Sequence, residues 1–216
     1  MMTYTEVFET GPVATNGYMI ANATAGTAVV IDCPHQSVEL MLEAAQTYNV
    51  RITDILLTHT HWDHTADCAA LVRLTGAKVW VHPLDVYRLT DPMAHTIWPL
   101  PFTIDPVTPD ELLQDGSTIQ VAGIALEVRH TPGHSEGSVC FVDHDVCQVY
   151  VGDTLFNGSI GRTDLPGGDF DQLAHSIRTQ LYTLPPDYVA NPGHGLFTVI
   201  GDEMQSNPFV QAGVAL

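Results

Sequence analysis

Thr58-His59-Thr60-His61-Trp62-Asp63-His64 sets three histidines and a carboxylate within six positions, directly after the apolar run Ile55-Leu56-Leu57. That run, opened by Asp54, reads as a short buried strand whose end delivers the cluster. Side chains two apart at a strand end share a face, so His59 and His61 point at one cation. Asp63 and His64 fall where Thr65 to Gly76 takes on helical spacing (Ala66, Ala69, Ala70, Leu74), and they aim from the helix start towards a second position. Rings that merely cap a strand do not need four potential ligands in so short a run. One ion cannot easily take all four, which points to a pair of cations with a bridging hydroxide between them, an arrangement suited to hydrolysis.

Three further candidate ligands sit beside glycines at strand ends: His134 in Thr131-Pro132-Gly133-His134-Ser135, Asp153 in Gly152-Asp153-Thr154, and His194 in Pro192-Gly193-His194-Gly195. Glycine lets the backbone turn sharply and approach closely at each. Together the candidates supply His59, His61 and His134 to one cation and Asp63, His64 and His194 to the other, with Asp153 bridging both. His35, His82, His95, His130, His144 and His175 lack ligand spacing and read as surface or hydrogen-bonded residues, His82 being the nearest to the rim. Asp32 reads as a structural carboxylate beneath the metals, and Arg162 either as the partner of Asp164, the reading preferred, or as a contact for an anionic substrate group.

Around these motifs, strands are expected over Tyr4 to Glu9, Gly17 to Ala23, Thr27 to Asp32, Ile52 to Leu57 and Lys78 to Val81, with a helix carrying Val38, Met41, Ala44 and Ala45. Asp91 to Pro109 holds Pro92, Pro99, Pro101, Pro106 and Pro109 and reads as a long loop, its Trp98, Leu100 and Phe102 offering an apolar wall. A second meander follows over Gly116 to Val121, Ile124 to Arg129, Ser138 to Val142 and Cys147 to Val151, then a glycine-rich loop, a helix over Phe170 to Leu184, and a strand over Tyr188 to Asn191. A meander with helices thus occurs twice, which predicts an α/β fold of two sheets packed face to face with helices outside.

The chain of 216 residues is 45% hydrophobic, enough for one well-buried core, and no polar linker divides it, so residues 1–216 are expected to form a single domain. Seven Lys and Arg stand against 25 Asp and Glu, a formal charge of −18, which argues against nucleic acid or an anionic bilayer as partners. Lys78 is the only lysine. Cys33, Cys68, Cys140 and Cys147 have no C-x-x-C spacing and read as free thiols of a reducing compartment. With neither a leader pattern nor a long apolar run, the expected location is the cytoplasm, as a monomer or homodimer.

The set His-x-His-x-Asp-His at 59 to 64 with His134, Asp153 and Gly193-His194 resembles the metallo-β-lactamase superfamily. Gly152-Asp153-Thr154-Leu155-Phe156, Gly161-Arg162-Thr163-Asp164 and Asn207-Pro208-Phe209 are similar to the short bacterial glyoxalase II-like hydrolases. The resemblance implies a four-layer αββα sandwich of two mixed sheets. It also implies a dinuclear site of two divalent metal ions, usually Zn²⁺ and sometimes Fe or Mn, with all seven ligands at their own positions. The implied activity is hydrolysis of a small-molecule thioester such as S-lactoylglutathione, with Asp63 and Asp153 orienting the hydroxide. A thiolate leaves with little acid assistance, which fits a site without an obvious general acid. Persulfide dioxygenases share the Gly-Arg-Thr-Asp stretch and would use one iron on His59, His134 and Asp153; lactonase, phosphodiesterase and simple metal-binding roles share the fold. After His194-Gly195, Leu196-Phe197 stands where that family commonly has proline and threonine.

Overall fold

A computed structural model describes residues 2–211. The chain divides into two compact units, one of Met1–Leu113 with Gln120–Ala125, the other of Gln114–Ile119 with Leu126–Leu216.

The first unit is built on a six-stranded mixed sheet, with strands β1 (Thr3–Thr10), β2 (Thr15–Asn22), β3 (Thr27–Ile31), β4 (Arg51–Leu56), β5 (Lys78–Val81) and β6 (Glu111–Leu112) in sequence order. β1 to β3 form an antiparallel meander, whereas β3, β4, β5 and β6 run parallel. Parallel neighbours need crossovers. The first is helix α1 (Val38–Thr47); the second contains the short α2 (Trp62–Thr65) and α3 (Cys68–Thr75). Met41 and Ala44 of α1 and Cys68 and Leu71 of α3 pack with Met19, Val30, Ile55 and Leu57 of the sheet, all buried. The N-terminus of α1 is capped from a distance: Asp67 Oδ2 accepts from the Ser37 and Val38 amides at 2.9 and 3.3 Å. Gly76, at φ 68°, ends α3 in the left-handed conformation that glycine adopts without strain. The expected helix after the cluster is therefore two, broken at Ala66-Asp67. The proline-rich segment is also not loop throughout, since α4 (Val86–Thr90) leads into α5 (Pro92–His95), where Pro92 supplies the fixed φ of a first helical position.

The second sheet contains β7 (Thr118–Val121), β8 (Ile124–His130), β9 (Val139–Asp143), β10 (Gln148–Gly152), β13 (Val189–Pro192) and β14 (Thr198–Val199), in the order β14-β13-β10-β9-β8-β7; β11 (Leu155–Phe156) and β12 (Ser159–Ile160) make a separate hairpin. β10 pairs antiparallel with β9 and parallel with β13, so this sheet is mixed as well. Helix α6 (Phe170–Ser176) starts at Asp169, whose carboxylate accepts from the Gln172 amide at 2.9 Å, and then widens into a π-helical turn over Ile177–Leu181. It stops short of the expected Leu184. Leu173, Ile177 and Leu181 pack against Cys140, Val142, Val149 and Val151. Cys33, Cys68 and Cys140 are buried free thiols and Cys147 is half-buried. Among the described residues no helix is long and apolar enough to cross a membrane.

The last helix, α7 (Ile200–Ser206), carries Glu203, only 2% exposed. Its carboxylate accepts from the Gly158 amide at 3.1 Å, the Thr198 hydroxyl at 2.6 Å and the Asn207 side-chain amide at 2.7 Å. Glu203→Ala strands those donors, at a cost of about 3 kcal/mol. The expected outcome is a fall of about 6–12 °C in melting temperature, read by thermal denaturation; a change under about 2 °C would contradict the network.

Candidate metal centre

In the first unit, the ligand candidates stand at the carboxyl end of β4, where the backbone runs out of the sheet. Asp32, at the neighbouring end of β3, is buried and organises them. Its Oδ1 accepts from the Thr58 amide at 2.8 Å and its Oδ2 from the Thr58 hydroxyl at 2.7 Å, and Oδ2 also receives His64 Nδ1 at 2.8 Å. A carboxylate acceptor fixes Nδ1 of His64 as the donor and leaves Nε2 with its lone pair, the arrangement that metal-bound histidines adopt. His64 Nε2 is 3.5 Å from Asp63 Oδ2, which itself receives the Thr15 hydroxyl at 2.9 Å. The Thr58 hydroxyl, having donated to Asp32, can accept from His59 Nδ1 at 3.2 Å, which makes Nε2 the accepting nitrogen of that ring.

The remaining histidine of the motif is placed by its neighbours. Thr60 donates its amide to Asp85 Oδ2 at 2.9 Å and its hydroxyl to the Asp85 carbonyl at 2.9 Å. The fully buried Asp85 also receives Arg88 at 2.9 Å. His61 then opens α2, its carbonyl accepting the His64 amide at 3.1 Å. The ring centroids of His59 and His61 are 4.8 Å apart and those of His59 and His64 4.1 Å apart. His59 and His64 are buried; His61 and Asp63 are half-buried.

His134, Asp153 and His194 come together in the second unit. Asp153 follows β10 and His194 follows its parallel neighbour β13, where Gly152 pairs with Pro192 and the Gly193 amide donates to the Gly152 carbonyl at 2.8 Å. Parallel register brings the two ligands to one edge. Asp153 Oδ2 is 3.5 Å from His134 Nε2 and 3.5 Å from His194 Nε2. His134 Nδ1 is hydrogen-bonded to the Arg162 carbonyl at 2.8 Å, again turning Nε2 towards the carboxylate. Two glycines allow this. At Gly133 (φ 129°) a Cβ would collide with the Leu173 backbone, and at Gly161 one would collide with the Asp153 carbonyl.

These separations fit a metal better than direct pairing. At 3.5 Å a nitrogen–oxygen contact is too long for a good hydrogen bond, whereas donors about 2.1 Å from a shared tetrahedral ion stand roughly 3.4 Å apart. Imidazole and carboxylate donors suit zinc, iron or manganese. The histidine and aspartate side chains thus form clusters able to hold metal ions.

The other expectations divide. Arg162 pairs with Asp164 through two bonds of 2.7 and 2.9 Å, as read from the sequence, and the two hold each other's charge, raising the Arg162 pKa and lowering that of Asp164. His35 stacks on Phe102 at 3.9 Å, His82 caps a 3₁₀ turn by accepting from the Leu84 amide, His95 meets Tyr87 edge-on, His130 and His144 are hydrogen-bonded, and His175 is exposed. Of the expected apolar wall, Phe102 approaches Trp62 at 6.2 Å while Trp98 is exposed. Sequence reasoning missed the Asp85 clamp, which lies 25 residues from Thr60 with no spacing signal, and the Arg162 carbonyl, since any residue type supplies one.

Comparison with known proteins follows from this geometry. The sequence profile of the Metallo-beta-lactamase superfamily matches residues 10–194. The hydroxyacylglutathione hydrolase GloC of Haemophilus influenzae is 35% identical over 188 residues, covering 86% of this chain and 88% of GloC. The crystal structure of the B3 metallo-β-lactamase BLEG-1 matches with a TM-score of 0.88 at 33% identity, covering 96% of this chain and 99% of that one. TTHA1623, crystallised in a di-iron-bound form, matches with a TM-score of 0.84 at 37% identity, covering 95% and 100%.

Replacing Asp32 by Asn turns one of its two accepting oxygens into an N–H donor, so the Thr58 amide, the Thr58 hydroxyl and the His64 ring can no longer all be accepted. The expected result is a 10–100-fold weaker hold on divalent metal in competition with a chelator, while Glu111→Gln, on the exposed pair with Lys78, leaves it unchanged. Equal retention in both variants would contradict the role given to Asp32.

Proposed function

This chain belongs to the metallo-β-lactamase superfamily, and from that premise we propose that it is a dinuclear metal-dependent thioesterase. His59, His61 and His134 would hold one divalent cation, Asp63, His64 and His194 the other, and Asp153 would bridge them. The carrying observation is the donor set itself: His64 and His134 each have Nδ1 tied to a protein oxygen and Nε2 3.5 Å from an aspartate carboxylate. Within each unit the candidates are of the types that hold such ions, histidine and aspartate set at strand ends. Di-iron binding by TTHA1623 supports two ions, and the name of GloC supports a thioester.

Divalent cations bound there would lower the pKa of a shared water towards neutrality and polarise the substrate carbonyl. The chain's own part is orientation. Asp63, steadied by Thr15, and Asp153, set by its place after β10, accept hydrogen bonds from the attacking water and fix its lone pair on the carbonyl carbon. The water gives up one proton to solvent as its oxygen bonds to that carbon, the carbonyl reforms as the C–S bond breaks, and the sulfur leaves as a thiolate that solvent protonates, giving a carboxylic acid and a thiol. A thiolate departs without a dedicated acid, so the carboxylates can remain ionised throughout. The metal identity most compatible with this chemistry is Zn²⁺, with iron or manganese serving the same ligands.

Metal analysis of protein purified without added metal, beside a panel of thioesters, tests the reading. Close to two divalent cations per chain and thioester hydrolysis are expected. One iron per chain, unchanged by His64→Ala and His194→Ala and accompanied by oxygen consumption on a persulfide, would replace it with the dioxygenase. Asp153→Asn should lower hydrolysis at least about a hundredfold, the upper range for disturbed metal ligation, and Arg162→Ala much less, because that side chain is spent on Asp164. Mild, equal losses in the two variants would break the ligand assignment.

A further inference from the structure

His194 is followed at once by two large apolar side chains turned to solvent, Leu196 at 75% and Phe197 at 64% exposure. Gly195, at φ 73°, makes the turn between them and the ligand. Phe156, half-buried on β11, approaches the His194 ring at 6.1 Å with planes at 82°. Adjacent exposed apolar residues on a mobile tip would need no special account, but this backbone is anchored. The Asn157 side chain donates to the Phe197 carbonyl at 3.2 Å, and the neighbours of both residues, Gly158 and Thr198, bond to the buried Glu203. Phe156, Leu196 and Phe197 therefore form a fixed apolar lip beside a candidate metal ligand. Fixed apolar surface in water marks a binding site.

The distribution of positive charge says what this lip does not serve. Of the seven cationic residues, Arg73 pairs with Asp105, Lys78 with Glu111, Arg88 with Asp85, Arg129 with Glu127 and Arg162 with Asp164. Arg178 donates to the Gln211 carbonyl, and Arg51 begins β4, the opposite end of that strand from His59. Five of the seven are paired with carboxylates and Arg178 is tied to a carbonyl, so a polycarboxylate carrier finds few cations available in a chain of formal charge −18. We propose that the lip receives an apolar arm of an uncharged thioester, so that neutral alkyl or aryl thioesters serve as substrates with no advantage to thioesters of polyanionic carriers. This rests on the thioesterase reading above and specifies its substrate class.

A methylene fully withdrawn from water favours binding about fourfold, and one resting on an open lip about twofold. Two series of neutral esters read this directly: N-acetylcysteamine thioesters with acyl chains of increasing length, and S-alkyl thioacetates with thiol chains of increasing length. In at least one series kcat/KM should rise about twofold per methylene, and the slope should flatten in the Leu196→Ser, Phe197→Ser double variant. Both side chains are exposed, so the variant should keep its melting temperature. S-lactoylglutathione should fall within about tenfold of a matched uncharged ester. A flat response in both series with turnover intact would overturn the inference and leave the thioesterase standing. So would a slope that survives the double substitution, or a preference of a hundredfold or more for the glutathione ester. Absence of turnover on every thioester would overturn the thioesterase reading and this inference with it.

Discussion

One buried carboxylate sets the first group of candidate ligands. Asp32 sits just past β3 with φ at 59°, a left-handed conformation that aspartate tolerates better than most residues. Its three hydrogen bonds fasten the start of the histidine stretch through Thr58 and the far end through the His64 ring. The Cys33 amide adds a fourth tie, to the His64 carbonyl at 2.7 Å. Between these ends the chain is clamped again at Thr60 by Asp85. Four side chains that could bind in many arrangements are thereby restricted to one, and the ordering entropy is met by folding before any ion arrives.

The second group is held differently. The His134 ring is held at Nδ1 by the Arg162 carbonyl, and the shape of the site rests also on side chains that are missing. Gly161 lies where a Cβ would meet the Asp153 carbonyl and crowd the His134 ring, and Gly133 lies where one would enter the Leu173 backbone. The register of β10 with β13 does the rest, carrying Asp153 and His194 to the same edge. Hydrogen bonds orient the first group, and close backbone approach orients the second.

That difference explains what could be read from the sequence. The seven candidate ligands stand out because histidines and aspartates at strand ends beside glycine are uncommon, and the strands leading to them announce themselves by apolar runs. The meanders over β1 to β3 and β7 to β10 followed from the same periodicity. Less visible were elements whose cause is tertiary: β6 and β14, two residues long each, carry too little pattern to register, and α6 turns π-helical at Ile177 with no breaker in the sequence to mark it. Asp85 was hidden for a different reason. Its partner Thr60 is close only because two short helices, a strand and a turn intervene, and no local spacing encodes that approach.

The arginines follow from the same economy of positive charge. Arg88 neutralises Asp85 in a buried pair, 5% and 0% exposed at the side chains. Removing either partner there strands a charge, so the pair fixes the Thr60 clamp more than it adds net stability. Arg162 contributes to His134 through its carbonyl while its guanidinium is engaged by Asp164. Cations used in this way are unavailable for steering. On the proposed reading, attraction of an anionic group towards the ligand edges would come mainly from metal held there, its field decaying over about 8 Å at physiological ionic strength, against a background of excess carboxylate. On the proposed reading an uncharged substrate escapes that opposition and would draw its affinity from apolar surface near the candidate ligands, such as the exposed pair Leu196 and Phe197.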